Sequence, residues 1–192
     1  LTDILAECDF EMGLWWNGDD AVGLAQDGTL IDAHHYWSSV IKIRATKIAD
    51  KWFNGHNYDT IHDSLVDLMG IDYEHNKLKP NGPVGVKTRS YIVNVVRVYI
   101  ESKGVSVNND EVESMFKEVD IITAENLSPL IKILTGVEEL LKKMSQFGIK
   151  SVIVSQDITS RATKAMSVLG LQHYFSEIIG GESVQKTKPA TD

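Results

Sequence analysis

The chain has 192 residues, 43% of them hydrophobic and 24% charged, which suits a soluble globular protein with one substantial core or one core plus an inserted module. Its formal net charge of -8 lacks the basic footprint that nucleic acid or an anionic membrane surface calls for. No apolar run is long enough to span a bilayer and no signal-peptide pattern opens the chain, so neither nucleic acid nor membrane is expected as a partner. Cys8 is the single cysteine, which rules out an internal disulfide and points to a reducing, cytoplasmic setting. Leu1 is not an initiator methionine, so a processed or trimmed chain is expected.

Residues 1–20 read as a mixed acidic and aromatic leader or linker, with Trp15 and Trp16 as packing residues. AVGLA (21–25) then reads as a short buried strand, closed by a turn at Asp27-Gly28. From His34 to Trp52 the spacing becomes helical: Trp37, Val40, Ile41, Ala45, Ile48 and Trp52 share one face. Ile61, Leu65, Leu68 and Met69 signal a second helix ending at Gly70. KLKPNGPVGVKTR (77–89) contains two prolines and two glycines and is predicted to be a loop. SYIVNVVRVYIESKG (90–104) is rich in β-branched residues, yet Gly104 closes it like a helix C-cap, so a helix is predicted. Val112, Met115, Phe116 and Val119 continue the helical spacing, and NNDEVE (108–113) reads as a solvated helix start with its acids well placed for the helix dipole.

The rhythm then changes. TGVEELLKKMSQFG (135–148) is an amphipathic helix, KSVIVS (150–155) a buried strand, TSRATKAMSVLG (159–170) a helix, and SEIIGG (176–181) a strand running into a turn. Helices alternating with short apolar strands predict βαβ units and a parallel sheet, hence an α/β, Rossmann-like fold with a mostly helical insert between its two sheet-forming pieces. In such a sheet ligands collect at the carboxyl ends of the strands. Asp27, Gly28 and Thr29 follow the first strand, Ser155, Gln156 and Asp157 the second, and Lys188 lies beyond the third. An acid, a hydroxyl and an amine beside the amides of a glycine turn suit a phosphoryl group. Taken singly, Asp27 is equally a turn former, Ser155 a helix cap and Lys188 a solvated side chain. Their order along the chain is what favours a site.

Three stretches, LAQDGTLID, LTGVEELLKKMSQFGIKSVIVSQD and IIGGESVQKTKPATD, resemble the first three motifs of the haloacid dehalogenase (HAD) superfamily. The resemblance implies a core at 21–35 and 131–192 and a helical cap at 36–130. It also implies hydrolysis of a small phosphorylated metabolite through an aspartyl-phosphate, with magnesium as cofactor. By position, Asp27 is the acid and base that also lends a metal ligand, and Gly28, Thr29, Ser155, Gln156 and Lys188 bind the phosphoryl group. The nucleophile position is Ala25, and a methyl group neither attacks phosphorus nor ligates magnesium. The family's fourth, acidic motif has no counterpart before Asp192, so the core is expected to lack its last strands. Ala25 is either an introduced or recent replacement or the mark of a pseudo-phosphatase that only binds. Asp27 favours phosphate-ester hydrolysis over dehalogenation, since a leaving alkoxide needs a proton and a halide does not. A phosphomutase would use the same parts. Within the insert, Lys87 and Arg89 are available to an anionic group, with a solvated basic loop as the alternative. His34 and His35 either line the pocket or pack at the helix start.

Overall fold

The computed structural model describes residues 14–16, 21–26, 28–53, 57–84, 86–155 and 158–181. The chain divides into two compact units, one of described residues up to Ala33 and from Leu127 onward, the other of His34–Asn126.

The first unit is built on a four-stranded sheet. Its strands are β1 (Leu14–Trp16), β2 (Ala21–Ala25), β5 (Lys150–Val154) and β6 (Phe175–Ile179), in the order β1-β2-β5-β6. β2, β5 and β6 run parallel, and β1, from within the stretch read as a leader, pairs antiparallel with β2. Val22, Leu24 and Ile153 are buried, as the apolar runs of parallel strands require. Helix α5 (Val137–Gln146) buries Val137, Leu140, Leu141 and Met144, three or four residues apart. It stops as the sequence suggests: Gly148 donates its N–H to Ser145 O (3.0 Å) and Ile149 to Met144 O (2.9 Å), and the chain turns directly into β5. Helix α6 (Thr159–Val168) ends with the same pair of bonds through Gly170 and Leu171 and leads through a single 3-10 turn (Gln172–Tyr174) into β6. The β5–α6–β6 unit predicted from alternation is therefore present, and the fold is α/β with a Rossmann-like parallel sheet.

The second unit holds α1 (Ala33–Phe53), α2 (Tyr58–Leu68), α3 (Arg89–Ser102) and α4 (Asn109–Glu125). Ile41, Ile48, Leu65, Ile92, Val96 and Phe116, one or more from each helix, meet in one apolar core. The β-branched run of α3 is helical because Ile92, Val93, Val96 and Ile100 face that core, and Thr88 caps its start through Tyr91 N–H. The acidic start of α4 forms a full capping box between Asn108 and Glu111.

Two features were not legible. The stretch 77–89 is not all loop: β4 (Lys77–Leu78) pairs antiparallel with β3 (Ile71–Asp72), and Arg89 already belongs to α3. Asp72 folds this hairpin by accepting the N–H groups of Glu74 and His75, and the His75 ring holds its carboxyl below the usual aspartate range. The remaining loop is pinned where Gly70 and Gly82 cross; a β-carbon on Gly82 would lie 2.9 Å from Gly70 Cα, so only glycine fits. The second feature is Arg44, buried on the apolar face of α1 and 5% exposed. It bonds Asp120 at 2.9 Å and stacks on the Phe116 ring at 4.3 Å. Burial lowers its pKa despite the help of Asp120. Asp120→Asn would leave that guanidinium without a countercharge; a loss of about 3 kcal/mol is expected in chemical denaturation.

Candidate functional site

The ladder between β2 and β5 sets the geometry at the carboxyl end of the sheet. Ala21 pairs with Lys150 and each following residue in step, so that Ala25 is the partner of Val154 and both strands end at one level. Ser155 leaves β5 one residue later. It is 7% exposed and its amide donates to Ile179 O at 2.9 Å. On the β2 side the chain folds back at once. The carbonyl of Gln26 accepts from Leu30 and Ile31, both at 3.0 Å, and Gly28 N–H donates to Ile31 O. Gly28 stands at φ +75°, a conformation that only glycine adopts without strain, and Thr29 is buried. Further bonds from Asp32 to Lys132 O and from Leu134 to Leu30 O tie this turn to the segment before α5.

Of the residues singled out in the sequence, Ala25, Gly28, Thr29 and Ser155 thus lie at or just beyond two neighbouring strand ends. Asp27, Gln156 and Lys188 lie outside the described residues, as do Cys8 and the stretch past Gly181. The side chains of Trp15 and Trp16 are likewise outside that description. Gly180 N–H donates to Thr159 Oγ1 at 3.0 Å, fixing the start of α6 against the end of β6.

Sequence reasoning passed over Gln26. It is 6% exposed, and its Oε1 has no hydrogen-bond partner among the described residues. A polar residue inside an otherwise apolar strand-end run was the available signal. An unpaired buried acceptor costs stability, which makes this turn less secure than its backbone bonds alone suggest.

The basic candidates of the helical unit find partners there. Arg89 is not available to an anionic group in the way its loop position suggested, because its guanidinium lies between Glu113 (3.0 Å) and Asp120. Burial lowers its pKa, but the hydrogen bonds to Asp120 and Glu113 outweigh that and leave it raised. Lys87 is exposed, with its ammonium 5.8 Å from the centre of the Tyr91 ring. His34 accepts the N–H of Leu78 at Nδ1 (3.1 Å), which fastens β4 to the start of α1.

No cluster of three His, Cys, Asp or Glu that could hold a metal occurs among the described residues, and Asp27, the magnesium ligand that the sequence resemblance implies, lies outside them. Among the same residues no helix is long and apolar enough to cross a membrane.

Comparison with known proteins adds family context. The family model "Haloacid dehalogenase-like hydrolase" matches residues 76–192, more than half of the chain. Phosphoglycolate phosphatases from Pasteurella multocida (strain Pm70) and Haemophilus influenzae (strain 86-028NP) are each 26% identical over 86 residues, covering 45% of this chain and 38% of the relative. The matched stretch therefore spans well under half of those relatives. A predicted phosphoglycolate phosphatase from Haemophilus somnus 129PT superposes with a TM-score of 0.52 at 18% identity, over 87% of this chain and 64% of its own. A protein from Thermotoga maritima, provisionally assigned as a β-phosphoglucomutase, gives 0.55 at 18%, over 88% and 64%. At these identities the two structures bear on the fold alone.

Gly28→Ala tests the turn. With no atom within 4 Å of the added β-carbon, its cost is backbone strain only. A loss of about 1 kcal/mol is expected on thermal unfolding, and Gly28→Asn, more tolerant of positive φ, should lose less.

Proposed function

The chain belongs to the haloacid dehalogenase-like hydrolases, and from that membership we propose that its sheet-bearing unit is a phosphatase scaffold for a small phosphate monoester, kept from turning over by alanine at position 25. The proposal rests on the register of β2 with β5, in which Ala25 is the partner of Val154 and the glycine turn and Ser155 follow from adjacent strands. In this reading the turn at Gly28 and Thr29 lies against the phosphoryl group, the Ser155 hydroxyl binds its oxygens, and Lys188 balances their charge. Gln156 borders the same group. Asp27 gives a proton to the departing oxygen and later takes one from water. Ala25 can do neither of the tasks its position demands: it cannot form the covalent bond to phosphorus, and it cannot offer an oxygen to a metal. Magnesium is the metal proposed for a competent form, since carboxylates at positions 25 and 27 would supply the hard oxygens it prefers. The helical unit takes the role of the inserted cap, and a cytoplasmic location goes with the same proposal.

Ala25 itself favours a second reading, a pseudo-phosphatase that binds a phosphorylated metabolite and does not consume it. A phosphomutase would use the same groups and differ in where the phosphoryl is delivered. The test is phosphate release by the full-length protein from a panel of small esters, with phosphoglycolate first because the relatives carry its name. Ala25→Asp with magnesium is expected to raise release by at least about a thousandfold. Adding Ser155→Ala to that variant should lower it by roughly ten- to a hundredfold. If Ala25→Asp releases no phosphate while the unaltered chain binds the esters, the binding reading replaces the enzyme reading.

A further inference from the structure

The outer face of α3 carries a pattern that neither the core nor the phosphoryl site uses. Lys87, Tyr91, Asn94, Val98 and Glu101 are all exposed, and within the helix the spacing of three, four and three residues from Tyr91 to Glu101 makes one heptad-like seam. Tyr91 is 48% exposed and Val98 49%, more than a buried-face residue of the same helix such as Ile92 or Val96. Lys87 precedes the helix but belongs to the seam, because its ammonium approaches the Tyr91 ring. Beside the seam lies a hollow of about 330 Å³ lined by Leu68, Asn94, Val95, Val98, Tyr99 and Ser102.

Read in the reverse direction, the seam is its own complement. An antiparallel copy centred on Asn94 sets Lys87 against Glu101 of the second copy, Tyr91 against Val98, and Asn94 against its equivalent. The basic end meets the acidic end twice in one two-fold pair, whereas a parallel pair would set lysine on lysine. Arg97, at the flank, donates to Asn94 Oδ1 at 3.2 Å and forms an ion pair with Glu101 through Oε2. We propose that the seam Lys87–Tyr91–Asn94–Val98–Glu101 is a docking surface for a second copy of this chain, which pairs antiparallel along α3. Each Tyr91 enters the hollow beside the other copy's Val98, and the Asn94 pair fixes the register as buried asparagines do in coiled coils. Such a contact is isologous, so it closes at two chains and does not propagate. A single fourteen-residue helix per copy falls short of the roughly 1,200–2,000 Å² of a stable interface, so the dissociation constant is expected at tens to hundreds of micromolar, on the order of weak encounter complexes.

Sedimentation equilibrium of the full chain over a range of concentrations tests this. The unaltered protein is expected to pass from monomer to dimer. Val98→Asp should weaken the dimer by about tenfold or more, and Lys87→Glu and Glu101→Lys singly by roughly three- to tenfold, since each breaks two exposed pairs. Combining Lys87→Glu with Glu101→Lys should recover the original association, because each swapped charge again meets its opposite. Far-UV circular dichroism and the melting temperature confirm that each variant folds. A monomer at every concentration, a dimer untouched by Val98→Asp, or a double variant as weak as the single ones would each overturn the proposal.

Discussion

The parallel pairing of β2 with β5 governs the position of the described groups at the candidate site, Ala25, the Gly28 turn and Ser155. A one-residue slip in that ladder would turn Val22 and Leu24 out of the core, so the burial of those side chains and of Ile153 holds the register. With the register fixed, two strands must end side by side, and the chain can do little else there than turn. The β2 side turns through Gly28, and the β5 side reaches Ser155 one residue beyond the strand. A hydroxyl and a glycine turn are thus brought to one edge by forces that have nothing to do with phosphate. In the proposed function, chemistry is added afterwards by the residue types at those few positions, among them Ala25.

The helical unit solves a different problem. Its core is large enough to bury Arg44, but a guanidinium among aliphatic side chains is tolerable only with a countercharge and a ring to lie on. Asp120 and Phe116 supply both, and Asp120 is shared with Arg89. This network joins α1, α3 and α4 by direction-specific contacts where apolar packing alone would allow sliding. It also explains why Arg89 faces inward while Lys87, two residues earlier, remains at the surface.

Much of the fold was legible because its punctuation is local. Gly148 and Gly170 mark helix ends, the first leading straight into β5 and the second through a 3-10 turn into β6, and AVGLA and KSVIV are apolar runs too short for helices and bounded by turns. What escaped has little or no signal of its own and depends on a partner. The two residues of β4 have no strand signal of their own and exist through their pairing with β3. β1 is three residues long and owes its assignment to β2. Arg44 interrupts an apolar stripe, and only the position of Asp120, far along the chain, reveals that it is inside. At the site, the glycine turn and Ser155 followed from strand ends alone. The loss of Arg89 from the basic candidates could not, because Glu113 and Asp120 become its partners only when α4 packs on α3.

The central claim is that the edge formed by the β2 turn and Ser155 receives a phosphoryl group. The most direct measurement is a titration of the isotopically labelled protein with inorganic phosphate, followed residue by residue through its backbone amide NMR signals. The largest saturable shifts are predicted at Gly28, Thr29 and Ser155. Saturable shifts confined to other surfaces, or none at these three residues at any phosphate concentration, would contradict the account.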